Sequence, residues 1–210
     1  MQTRQAIFMA VATGAAGFAL GVALTLSGTF NNAATRTTQP PAPAVAADAA
    51  MPAGVHLRGA ATNNDGDTMR LTVGGDIFKI RLWGVDAPES KQSCTLNRRE
   101  IACGKLAGDA LAQLIEGREV GCKLKPSATF DRFAAVCFAG GKELNREMVR
   151  QGWAIDEKDF SDGFYSAVET YARDAKAGIW AMKFDQPAHW RACHKQLRKG
   201  QERPADCGLE

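Results

Sequence analysis

The sequence predicts an α+β fold: a small closed barrel of short antiparallel strands with helices at its sides. Three observations predict it. A double glycine, Gly74-Gly75, separates two runs of alternating apolar residues, the signature of a tight two-residue hairpin. Two more short strand-like runs, 118–125 and 132–141, follow a helical segment. Three segments with apolar residues at three- and four-residue spacing each end on a glycine, the usual residue where a helix stops in a left-handed turn.

In chain order, residues 6–26, "AIFMAVATGAAGFALGVALTL", hold no charged side chain and follow Arg4. That length crosses a hydrocarbon core of about 30 Å as a helix. A cleaved signal usually has an apolar region of roughly 7–15 residues with a small-x-small site close behind it. Here the clearest such site, Ala44-Val45-Ala46, lies far downstream. Residues 1–30 are therefore expected to form a signal anchor, with a cleaved signal peptide as the alternative. Either one exports the rest of the chain while the positive N-terminus stays inside. The expected location is the periplasmic face of an inner membrane, or outside the cell.

Residues 31–54 are Ala, Pro, Thr and Asn with almost no large apolar side chains. Such a stretch buries too little surface to offset chain ordering, and it reads as a flexible linker. Folded structure is expected from Val55. The whole chain is 45% hydrophobic and 23% charged, which suits a globular core. A net charge of +3 permits a polyanionic partner without requiring one.

Within the folded part, 69–73 and 77–85 are the arms of the hairpin. Phe78, Ile80 and Leu82 share one face, and Ile77, Lys79, Arg81 and Trp83 share the other, by the two-residue period of a strand. Residues 104–117 predict a helix with Leu106, Ala110 and Leu114 inward and Gly117 as its stop. "KELNREMVRQG" predicts a second, with Leu144, Met148 and Val149 inward. "YSAVETYARDAKAG" predicts a third, with Tyr165, Val168, Ala172 and Ala175 in register. The tail, 185–210, is basic, carries Trp190 and two cysteines, and shows little periodicity.

Six cysteines, at 94, 103, 122, 137, 193 and 207, imply disulfides in an exported chain, and their spacing does not fix the pairing. No C-x-x-C pair is present and the histidines are only His56, His189 and His194, which argues against zinc.

Carboxylates crowd the hairpin's ends. Asp65 and Asp67 precede it, and Asp86 and Glu89 follow it. Acidic turn residues are ordinarily solvated, and spacing alone does not set these apart. Two carboxylates held close repel unless a cation or a proton sits between them. Calcium prefers such hard oxygen ligands.

The blocks "DGDTMRL", "IRLWGVDAPE", "RFAAVCFAGGKELNREMVRQGWA" and "ARDAKAGIW" together resemble the staphylococcal nuclease (thermonuclease) family, in the family's order, over about residues 58–181. The resemblance implies a five-stranded OB-fold barrel with three helices, spanning residues 55–184. It also implies a calcium-dependent phosphodiesterase that cuts DNA and RNA, preferentially single-stranded, leaves 3′-phosphate ends and works as a monomer. By the same resemblance Asp67 and Asp86 are the calcium carboxylates, and Ala87 supplies a backbone carbonyl where the family commonly has threonine. Glu89 matches the general base and Arg81 the first phosphate-binding arginine.

The second arginine is less direct. The family shows D-R/K-Y-G-R on the approach to the next strand, and this chain has "TFDRFAAV". Aligned on "DR", the catalytic position falls on Ala135. Aligned backward from "AAVCFAGG", it falls on Arg132 with a shorter loop upstream. The second register is preferred, because loops accept deletions more easily than strands accept register shifts. Cys122 and Cys137 lie on neighbouring strands of the inferred barrel and are the first expected bridge. Cys94–Cys103 and Cys193–Cys207 would complete a sequential pattern. Phe130 and Phe160 are candidates for stacking on bases, and the tail for contact with phosphates. The rival expectation is a weak or inactive nucleic-acid-binding module on the same barrel.

Overall fold

In the computed structural model of the chain, residues 52–126 and 132–198 are described, with side chains of the final helix as far as Lys195. The expected anchor, nearly all of the linker, Phe130 and Cys207 lie outside these residues. Among the described residues no helix is long and apolar enough to cross a membrane.

Five strands build the barrel: β1 (Leu57–Asn63), β2 (Thr68–Val73), β3 (Asp76–Leu82), β4 (Glu119–Leu124) and β5 (Phe133–Ala139). Neighbours run antiparallel in the order β3-β2-β1-β4-β5. The sheet closes because β3 also pairs with β5 in parallel, from Ile80 opposite Phe133 to Leu82 opposite Ala135. This is the five-stranded OB-type closure that the resemblance implies, and closure removes the exposed sheet edge. The interior is filled mainly from β2, β3, β4 and β5, by Met69, Leu71, Ile80, Leu82, Val120, Cys122, Ala135 and Cys137, all fully buried. Phe78 is only half-buried, at the lip of the barrel.

β1 was not legible as a strand. "LRGAATN" has one large apolar residue, and its positions are at most half-buried. Its glycine has a packing reason: a Cβ on Gly59 would lie 1.9 Å from the Thr72 carbonyl oxygen of β2.

Four helices of two turns or more surround the barrel among the described residues: α1 (Cys103–Ile115), α2 (Leu144–Arg150), α3 (Ser166–Asp174) and α4 (Pro187–Arg198). Leu144, Met148 and Val149 of α2 are fully buried, as their spacing predicts, and so are Tyr165 beside α3 and Ala172 within it. α1 differs from expectation. It buries Cys103, Gly104, Ala107, Ala110, Leu111 and Ile115, while Leu106 faces outward and Leu114 is half-buried. The helix is turned because its small residues are needed at close range. A Cβ on Gly104 would lie 1.7 Å from the Glu89 carbonyl oxygen, and one on Gly66 would lie 2.8 Å from the Ala107 Cβ. Close approach to the acidic loops outweighs the burial of one leucine.

α4 occupies the stretch whose sequence shows little periodicity. Buried Gln92 fastens its entry, donating from Nε2 to the Asp185 carbonyl at 2.6 Å. A second small core of Cys94, Cys103 and Ile179, flanked by Trp153 and Trp180, lies beside the barrel's own. The bridges Cys94–Cys103 and Cys122–Cys137 are both formed, the second joining directly opposed residues of β4 and β5. Cys193 is disulfide-bonded as well.

Candidate active site

The turn before β2 is folded by a side chain. Asp65 Oδ1 accepts from the backbone N–H groups of Asp67 (3.1 Å) and Thr68 (2.7 Å), an Asx-type turn. The Asp67 carbonyl accepts from Leu82 N at 2.8 Å, tying the turn to the end of β3. Asp67 therefore points inward, 2% exposed.

The chain leaving β3 turns at Gly84 (φ +71°), where a Cβ would lie 2.9 Å from the Ser161 Cβ. That turn lays Val85–Asp86 against Ile155–Asp156 as a two-residue antiparallel pair. Asp86 ends up as buried as Asp67. The two aspartates meet through one guanidinium. Arg81 donates from Nη1 to Asp67 Oδ1 at 2.6 Å and from Nη2 to Asp86 Oδ1 at 2.7 Å. The other Asp67 oxygen, Oδ2, accepts from Ala87 N at 2.8 Å. Paired and hydrogen-bonded on all sides, this cluster meets the condition for burying charge.

Burial holds the Asp67 carboxyl well above the usual carboxylate range. Arg81 opposes that rise, and Asp65 adds to it. Burial pulls Arg81 the other way, but the attraction of Asp67 and Asp86 leaves it more firmly protonated than an ordinary arginine. Glu157 is raised by burial and then by Asp86, against Arg81, Arg191 and Arg132. Three guanidiniums thus act on one carboxylate.

Glu89 is 30% exposed at its side chain. Its loop is clasped by Gln92, whose Oε1 accepts from Glu89 N (3.1 Å) and whose N–H donates to the Glu89 carbonyl (2.7 Å). Arg132 stands just before β5. A cavity of about 340 Å³ brings it together with Arg81, Trp83, Glu89, Phe160 and Arg191. Ala135, the residue that the other register would place here, is fully buried in the barrel core. Phe160 is 64% exposed at the cavity.

Arg191 was not among the expected residues. It reaches in from α4 with a two-pronged grip on Asp86, Nη1 to Oδ1 at 2.8 Å and Nη2 to Oδ2 at 2.9 Å. Nη1 also donates to Glu89 Oε1 at 3.0 Å. Pro187 after "FDQ" is a helix-start signal in the sequence. Nothing in the spacing says that the helix folds back onto a loop a hundred residues earlier.

A hard cation suits the donor chemistry. Asp67, Asp86 and Glu89 offer carboxylate oxygens and Ala87 a backbone carbonyl, with no thiolate or imidazole among them. Among the described residues no three such side chains are grouped as ligands around one point. The carboxylates turn to Arg81 and Arg191 instead.

These features define a class: an OB-type barrel bearing a carboxylate–guanidinium site at the mouth of its acidic hairpin. Comparison with known proteins narrows it. The family described as staphylococcal nuclease homologue matches residues 79–182. A Rhizobium meliloti (strain 1021) protein named Succinoglycan biosynthesis protein ExoI is 33% identical over 150 residues, covering 70% of this chain and 74% of that one. A Haemophilus influenzae protein named as an uncharacterized endonuclease is 32% identical over 135 residues, 63% of this chain and 71% of that one. An Oryza sativa subsp. japonica protein named as a probable staphylococcal-like nuclease is 31% identical over 116 residues, 54% of this chain and 22% of that one. The chain belongs to the staphylococcal nuclease-like family.

Proposed function

We propose that this chain is an exported nuclease that hydrolyses phosphodiester bonds of DNA and RNA with calcium as its cation. The observation that carries the reading is the shared cavity of Arg81, Glu89 and Arg132 beside the buried pair Asp67 and Asp86. Family membership supports nuclease activity, and the cavity supports the finer assignments.

Asp67, Asp86 and the Ala87 carbonyl would hold the calcium, with Glu89 close by. Bound there, calcium would supply positive charge beside the phosphoryl oxygens. Arg81 and Arg132 bind the phosphate and stabilise the charge that builds as water attacks phosphorus in line with the leaving oxygen. Glu89 takes a proton from that water. A new P–O bond forms, the bond to the 5′-oxygen breaks, the leaving oxygen gains a proton, and the 3′ end keeps the phosphate. Phe160, exposed at the same cavity, offers an apolar face to unpaired bases, which favours single strands. The bridges Cys94–Cys103 and Cys122–Cys137 support an oxidising compartment, in keeping with an anchor or signal at residues 6–26.

The test is cleavage of end-labelled single-stranded DNA by the full-length, oxidised chain, in calcium and in a chelator, with mass analysis of the ends. Calcium-dependent fragments ending in 3′-phosphate are expected. Tight, salt-sensitive binding without cleavage would mark a barrel that holds nucleic acid and does not cut it.

A further inference from the structure

The expected ligands of the cation are already engaged by positive charge. Both oxygens of Asp86 accept from Arg191, and Oδ1 also accepts from Arg81. Glu89 Oε1 accepts from Arg191. Asp67 spends Oδ1 on Arg81 and Oδ2 on the Ala87 N–H. A divalent cation competes with the two-pronged guanidinium for Asp86, because three of the carboxylate's lone-pair sites are taken and like charges repel at that range.

One of the two arginines is better placed to leave. Arg81 stands at the open end of the hairpin, opposite Thr68, and its side chain is 16% exposed. Arg191 is 36% exposed and has solvent to move into. It comes from α4, outside residues 79–182, the stretch that matches the family. It is no stray surface side chain. α4 is fastened by Gln92 at its entry, and buried, disulfide-bonded Cys193 lies two residues beyond Arg191.

We infer that Arg191 is a further residue of this site, an internal guanidinium that occupies Asp86 and Glu89 and must be displaced before the cation binds. Arg191 then sets how much calcium the enzyme needs. It positions the two carboxylates in the cation-free protein and competes with the cation for them. The inference rests on the calcium reading above, and it concerns a residue which that reading does not use.

The experiment is a calorimetric calcium titration of the full-length, oxidised chain without nucleic acid, beside Arg191→Gln and Arg191→Lys. Charge-assisted hydrogen bonds must be broken in the parent and not in Arg191→Gln, so the glutamine variant should bind calcium roughly 10-fold more tightly. Arg191→Lys keeps the charge, loses the two-pronged grip and should fall between them. If Arg191→Gln fails to fold, judged by near-ultraviolet circular dichroism, parent against Arg191→Lys decides on the same criterion. Equal or weaker affinity in the variants overturns the inference and leaves the calcium reading standing. No calcium binding by any of the three overturns both.

Discussion

The two sides of the cavity are built in different ways. On one side, the hairpin of β2 and β3 places Asp67, Arg81 and Asp86 through local rules: an Asx turn, the alternation of a strand, and a glycine turn at Gly84. On the other side, Arg191 arrives on a helix held by Gln92 and Cys193, with no local cue to its target. The first side is buried, and the second is a partly exposed arm. A site assembled this way separates two tasks. On the reading proposed above, the barrel fixes where a phosphate sits, and the arm governs what else can occupy the carboxylates.

Substitutions on the barrel side should have the larger effects on cleavage. Glu89→Gln removes the proposed proton acceptor while keeping shape, and single-turnover cleavage should fall by about 10²–10⁴. Arg132→Ala should follow with a loss of about 10²–10³. An unchanged rate in that variant would remove Arg132 from the site. Gly104→Ala tests how far Glu89 depends on α1. A Cβ there meets the Glu89 carbonyl at 1.7 Å, so the loop must move. Urea unfolding should show a loss of about 1–3 kcal/mol, the usual range for overpacking, with slower cleavage alongside it. Lys105→Ala on the outer face of α1 breaks only an exposed pair with Asp109. It should change stability by no more than about 0.5 kcal/mol and leave cleavage alone. A larger effect there would mean that α1 does not separate a site face from a solvent face.

What could be read from the sequence follows the same division. The hairpin and three helices carry clear periods, and Gly152 stops α2 in a left-handed conformation as expected. α3 instead ends at Asp174 with Lys176 as its left-handed residue, and Gly178 opens the 3-10 turn that follows. β1 escaped because small and polar residues suffice when a strand is only half-buried. The inward face of α1 was misread at Leu106, because periodicity counts apolar residues and does not see the backbone that Gly104 must admit. Asp67, Asp86, Glu89 and Arg81 were singled out by the resemblance of their motifs to the family, and spacing alone did not set them apart. Their bonding was not legible, since a motif does not show that Arg81 lies between the two aspartates. Arg132 needed the choice of one register over another, and the burial of Ala135 favours the register taken. Arg191 was invisible because its partners lie 105 and 102 residues away, and only the fold brings them together.

The central claim is that the acidic ends of the hairpin hold a cation which in turn holds a phosphate. Its most direct test uses Glu89→Gln, which should bind substrate without cutting it. The affinity of that full-length variant for a single-stranded oligonucleotide would be measured in calcium and in a chelator, with and without the further change Asp86→Asn. Calcium should tighten binding by roughly 10-fold or more, a coupling of about 1.4 kcal/mol, and Asp86→Asn should abolish the gain. Equal affinity in calcium and chelator, or a gain that survives Asp86→Asn, would contradict the claim.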